Sequence, residues 1–131
     1  MIGAMPRQRV IGAAAGLLLT AACGGTTPAS PSTPPVTATT TITITSSGVS
    51  PKTVEIAIGS RVRFVNNDAF SHSIVSDPHP DNNECPEINQ VGFLQTGQTR
   101  ETGNFVEAHI CGFHDYTTPF VTEWQGTITI K

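Results

Sequence analysis

Residues 61–75 read RVRFVNNDAFSHSIV, and their pattern is typical of short β-strands joined by a turn. From Val62 to Asn66, apolar and polar side chains alternate, as they do in a strand with one buried face. Asn67 and Asp68 then mark a turn, and the segment that follows carries His72. We therefore predict a strand, a turn and a second strand-like segment that presents a histidine.

The same period-two alternation occurs on the N-terminal side of this region, in residues 41–45 (TITIT) and 53–58 (TVEIAI). Residues 46–51 (SSGVSP) and Gly59-Ser60 separate these runs and predict turns. The sequence contains ten Pro and twelve Gly, which argues against a helical protein. Short strands at this spacing predict an all-β domain, an antiparallel Greek-key sandwich or barrel.

The charge and the motifs of the sequence argue against two classes of function, nucleic-acid binding and enzymatic catalysis. Residues 1–22 contain two arginines and no acidic residue, so the remainder carries five basic and ten acidic side chains. A formal charge of −5 gives no reason to expect nucleic-acid binding, which calls for a basic patch. The chain also lacks a nucleophile elbow, a paired-carboxylate motif and a phosphate loop, so we do not expect an enzyme.

The N-terminus predicts export. Arg7 and Arg9 precede an apolar run over residues 10–19, which is shorter than the ~20 residues needed to span a bilayer. The small residues before Cys23 resemble a bacterial lipoprotein processing site, which implies that Cys23 becomes the lipid-modified first residue of the mature protein. The alternative is an ordinary secretory signal cleaved nearby, with Cys23 left as an unpaired thiol.

The chain divides into three predicted regions: a signal segment over residues 1–22, a tether over 23–39 and a domain over 40–131. The tether is rich in Thr, Pro, Ser and Gly and has too little apolar surface to fold. We expect a monomer on the outer or periplasmic side of the cell envelope, held at the membrane by its lipid anchor.

The domain resembles plastocyanin-like cupredoxins over residues 41–131. In that family a Gly-x-x-Val-x-Phe-x-Asn strand precedes the first histidine ligand, and residues 59–66 followed by His72 show this pattern. Further along the chain, Cys111-x-x-His114 and a closing strand at 126–130 occur in the family's order.

The resemblance implies a single copper ion bound by His72, Cys111 and His114, which would serve electron transfer to an unidentified redox partner. One thiolate and two imidazoles suit a site that cycles between Cu(I) and Cu(II). The family's axial Met is replaced by Trp124, and Gln125 is a candidate oxygen donor. His79 is a further candidate ligand, whereas His109 is a weaker one.

A disulfide between Cys85 and Cys111 is the main alternative, because an exported protein meets oxidising conditions. It would close a loop of about 26 residues, stabilise the domain by ~3 kcal/mol and consume the thiolate. Two other functions therefore stay open: non-redox copper or zinc handling by His72, His79 and His114, with Cys85 as an additional candidate ligand, and a metal-free binding module. Asp115 is a candidate for orienting an imidazole, or else a solvated turn residue.

Overall fold

The structure is a computed structural model that describes residues 39–131, together with Gly12, Gly24 and Gly25. The predicted signal segment and the predicted lipidation site, Cys23, lie outside the described residues apart from Gly12. Most of the predicted tether lies outside them too. Within the part of the chain that is described, no helix is long and apolar enough to cross a membrane.

Residues 40–131 form two β-sheets and two single turns of 3-10 helix, at Ile88–Gln90 and Thr122–Trp124. In chain order the strands are β1 (Thr40–Thr45), β2 (Gly48–Ser50), β3 (Thr53–Ile56), β4 (Val62–Asn66), β5 (His72–Ser76), β6 (Gly92–Leu94), β7 (Thr99–Glu101), β8 (His109–Asp115) and β9 (Gly126–Ile130). The prediction of an all-β fold is confirmed. The predicted turn at 46–51 is wrong in part, because β2 lies within it and forms a tight hairpin with β1.

The four-stranded sheet has the order β2-β1-β4-β7 and the five-stranded sheet the order β3-β9-β8-β5-β6. The sheets are mixed rather than purely antiparallel, since β1 pairs with β4 and β3 pairs with β9 in parallel. The chain leaves the first sheet to form β3 in the second and then returns as β4. Such a crossover is what allows two strands to run in the same direction.

The core lies between the two sheets and is formed by the apolar side chains at alternate strand positions. Phe64 on β4 and Phe113 on β8 meet there edge to face, with ring centroids 5.1 Å apart. Full burial of a side chain of this size contributes about 1.5–3 kcal/mol. The other completely buried apolar residues include Ile42, Ile44, Val62, Ile74, Ile88, Val91, Leu94 and Ile128.

The pairing of β5 with β8 determines which side chains lie near one another in the second sheet. The two strands are antiparallel, and Ile74 pairs with Asp115, Val75 with His114 and Ser76 with Phe113. His72 therefore lies at the same end of the sheet as Asp115. Cys111 is four residues back along β8, about 13 Å away at the usual strand rise.

Candidate functional site

His72, at the start of β5, lies between two carboxylates. Its Nδ1 is 2.6 Å from Oδ2 of Asp115, and its Nε2 is 2.9 Å from Oδ2 of Asp68. All three side chains are buried. The hydrogen bond with His72 lowers the pKa of Asp68 below its ordinary value and outweighs the opposing effect of burial. Since a carboxylate occupies each ring nitrogen, His72 has no nitrogen open to a metal ion.

Asp115 is held in place by further hydrogen bonds to its other oxygen. Oδ1 accepts from the backbone N–H of Ser73 at 3.2 Å, the backbone N–H of Thr117 at 2.9 Å and the Thr117 hydroxyl at 2.8 Å. Asp115 does orient an imidazole, as the sequence suggests, although the ring it holds is His72 and not the neighbouring His114. Asp68, four residues before His72, is a partner that sequence reasoning missed.

Cys111 and Cys85 are joined in a disulfide bond, with their Cα atoms 5.9 Å apart. Both residues are buried, and Cys111 faces the core from β8. Of the two predicted states of Cys111, thiolate ligand and disulfide partner, the structure contains the second. No thiolate is therefore available for copper at this position.

His114 faces away from the core. On β8 the side chains of Cys111, Phe113 and Asp115 point to the inner face of the sheet, and successive residues of a strand point to opposite faces. His114 is nevertheless only 1% exposed, because the segment after β5 covers it. Its Nδ1 is 2.5 Å from Oδ1 of Asp77, and its ring lies 5.5 Å from that of His79.

The predicted copper ligands are thus not brought together. His72 and His114 lie on opposite faces of the sheet, and Cys111 is four residues from the position beside His72. Within residues 39–131 no three His, Cys, Asp or Glu side chains form a group suited to a metal ion. The physical reason is that β8 stays extended through His114 to Asp115, and residues three apart on a strand point to opposite faces of the sheet.

The remaining candidates are also separated. Trp124 lies beside His72, with ring centroids 5.2 Å apart, and its indole N–H donates to the Thr45 carbonyl at 3.4 Å. The Gln125 side-chain N–H donates to the Pro119 carbonyl at 2.7 Å, and Gln125 does not line the cleft at His72. His109 is exposed at the start of β8.

A cleft of about 320 Å³ opens above His72. Trp124 and Phe70 supply its aromatic walls, and Phe70 is 74% exposed. The hydroxyl of Thr118 borders the cleft and has no hydrogen-bond partner among the described residues. Its other lining residues are Ser46, Asp68, Ser71, Asp115 and Thr117.

No protein-family model matches the chain, and no curated protein matches it. Solved structures do. A purple cupredoxin from Nitrosopumilus maritimus superposes with a TM-score of 0.55 at 21% identity, over 70% of this chain and 99% of that one. A reduced amicyanin mutant gives 0.55 at 14% identity, over 72% and 83%.

A Cu-containing nitrite reductase (NirK) from Thermus scotoductus SA-01 also matches, with a TM-score of 0.57 at 22% identity over 71% of this chain and 22% of that one. These similarities establish a cupredoxin-like β-sandwich.

The similar structures include copper proteins, which raises the question of whether the residues present here fit a Cys-His-His copper site. They do not. Cys111 is in a disulfide, both nitrogens of His72 are occupied, and Trp124 stands beside His72. An indole N–H is a donor only and offers no lone pair to a metal.

Proposed function

We propose that this protein is an exported, lipid-anchored binding module that uses the cupredoxin-like fold without a Cys-His-His copper centre. The observation that carries this proposal is the disulfide between Cys85 and Cys111, which leaves residues 39–131 without a free thiolate. Of the alternatives that the sequence left open, the binding module with a Cys85–Cys111 disulfide agrees best with this geometry, and we place its binding site at the cleft beside His72.

The chemistry of the cleft favours a small organic cation. Its floor contains two carboxylates, Asp68 and Asp115, and a single imidazole, so acidic side chains outnumber the one basic side chain there. Aromatic faces beside negative charge attract cations. The volume of about 320 Å³ lies at the lower end of the range for small-molecule sites.

Trp124 makes this proposal directly testable, because it is the sole tryptophan of the chain and borders the cleft. Titration with tetramethylammonium, choline and a polyamine should change its fluorescence, whereas acetate or a neutral analogue should not. Phe70→Ala should weaken the response. Equal responses to cations and anions, or none to any of them, would refute the cation proposal.

Electron transfer is tested separately by loading the oxidised protein with Cu(II), alongside a thiol titration. We expect no titratable thiol in residues 39–131 and no intense visible thiolate-to-copper band. A blue or purple protein with free thiols beforehand would restore Cys111 as a ligand and contradict the proposal.

Membrane attachment is part of the same proposal and rests on the sequence around Cys23. A lipid on that residue would leave the domain outside the cytoplasm, at the end of the tether, without any direct role in its site. Cys23→Ser should move the protein from the membrane fraction to the soluble fraction of the cell envelope. Unchanged fractionation would show that Cys23 is not the anchor.

A further inference from the structure

His114 has one ring nitrogen satisfied and the other open. Nδ1 faces Oδ1 of Asp77 at 2.5 Å. A carboxylate accepts hydrogen bonds, so this contact places the proton on Nδ1 and the lone pair of the neutral ring on Nε2. Nε2 is buried and has no hydrogen-bond partner among the described residues. Buried polar atoms are nearly always paired, so this one requires a partner that the described residues do not supply.

His79, whose ring neighbours that of His114, presents a second nitrogen without a partner among the described residues. Its ring centroid lies 5.5 Å from that of His114, and the ring planes are nearly perpendicular, at 82°. Its Nδ1 is also buried and without a partner among residues 39–131. Two neighbouring imidazoles therefore each offer an unused nitrogen, and neither of them belongs to the cleft at His72.

We propose that His79 and His114 together bind one divalent transition-metal ion, Cu²⁺ or Zn²⁺, on the outer face of the second sheet. Metal–imidazole distances are about 2.0–2.1 Å, which places two rings on one ion with centres about 5–6 Å apart, as the rings are here. Imidazole nitrogen suits copper and zinc, and the usual order of affinities makes Cu²⁺ the tighter of the two.

Asp77 is the positioning residue of this site. Carboxylates that accept the second N–H of a metal-binding histidine fix its tautomer and orientation. Asp77 is itself held by the sheet, since its backbone N–H donates to the carbonyl of Gly112 at 3.0 Å. The carboxylate and the ring it orients therefore move together with β8.

The open side of the site has an aromatic border. The rings of Tyr116 and Phe120 lie 5.3 Å and 5.9 Å from that of His79, and Phe120 is 84% exposed. Two imidazoles leave coordination positions for water or an incoming donor. This proposal is independent of the cation proposed for the cleft at His72, and each can fail without the other.

The test is calorimetric titration of the oxidised chain from residue 23 onward, carrying Cys23→Ser, with Cu²⁺ alone and then Zn²⁺ alone. We expect one ion per chain. His79→Ala should weaken binding at least tenfold, and Asp77→Asn should weaken it 10- to 100-fold. His109→Ala is the matched control, because it removes an exposed histidine elsewhere on β8 and should leave the affinity unchanged.

A spectroscopic measurement distinguishes the loss of a metal ligand from the loss of the folded structure. Electron paramagnetic resonance of the Cu²⁺ form should show coupling to two imidazole nitrogens, reduced to one in His79→Ala. His79 is a half-buried loop residue, so its replacement should preserve the circular dichroism spectrum even if His114→Ala fails to fold. Wild-type affinity in His79→Ala, or an equal loss in His109→Ala, would overturn the proposal.

Discussion

The two buried histidines on the second sheet contrast in how their ring nitrogens are used. His72 has a buried carboxylate at each nitrogen, whereas His114 has the carboxylate of Asp77 at one nitrogen and no partner among the described residues at the other. A ring that is satisfied twice is a structural element. A ring that is satisfied once is oriented and still free to bind. Burial alone therefore does not distinguish the two roles.

This contrast predicts that stability and metal binding depend on different histidines. His72→Ala should have the largest effect on stability, because it removes the imidazole that lies between the buried carboxylates of Asp68 and Asp115. Removing one member of a buried ionic group costs about 3–5 kcal/mol. Urea unfolding with a chelator present measures the loss, and His114→Ala should cost less.

The reason for the smaller effect is that the Asp77 side chain is 44% exposed and can regain water when its partner is removed. If His114→Ala proved the more destabilising change without metal, the assignment of His72 as the structural histidine would be wrong.

The disulfide is expected to have the next largest effect. It links residues 26 apart in sequence, and the double variant Cys85→Ser/Cys111→Ser should lose about 3 kcal/mol of unfolding free energy. Cys85→Ser alone frees the Cys111 thiol without moving it along β8. We therefore expect that Cys85→Ser loaded with Cu(II) shows no intense visible band. A band that disappears when His72 is also replaced would show that Cys111 and His72 can bind the same ion.

Gly112→Ala tests whether Asp77 orients His114 for metal binding. A Cβ at this position would collide with the Asp77 carboxyl group, which can swing outward because it is partly exposed. The fold should survive, but Asp77 should leave His114, and Cu²⁺ affinity should fall about tenfold. Combining Gly112→Ala with Asp77→Asn should produce no further loss, since both changes remove the same contact. Additive losses would mean that Gly112 acts by another route.

The smallest effect concerns acid stability. The pKa of Asp68 is lower in the folded chain than its ordinary value, chiefly because of its hydrogen bond with His72. Its ionised form therefore stabilises the fold above about pH 4, and this contribution is lost as the pH falls through the lowered pKa. Unfolding free energies measured between pH 3 and 7 should fall less steeply with acid for Asp68→Asn than for the unsubstituted protein. An identical pH dependence would contradict a stabilising role for ionised Asp68.

Local patterns predict much of the fold. Period-two alternation correctly indicates β1, β3 and β4, and the closing strand that the family resemblance implies at 126–130 is present as β9. Alternation does not reveal the short strand β2, because its Gly and Ser residues are also typical of turns. It does not reveal the parallel pairs β1–β4 and β3–β9 either, because alternation specifies a face and not a partner.

The composition of the candidate sites is also largely visible in the sequence. The residue types and their spacing point to His72, His79, His114, Cys85 and Cys111. They are compatible with Cys111 either as a thiolate ligand or as the disulfide partner of Cys85. They do not point to Asp68 and Asp77, since an acidic residue in a turn is common and gives no signal of its partner. Asp68 stands four residues before His72, which is the one hint available.

The sequence by itself determined which segments form strands and which residue types are available for chemistry, because side-chain alternation and turn residues act over a few neighbouring positions. Only the tertiary structure decided which imidazole meets which carboxylate, and that His72 and His114 lie on opposite faces of one sheet. The physical reason is strand geometry: each residue advances about 3.3 Å and reverses the face, so the end point of β8 and its register with β5 decide every contact at the site.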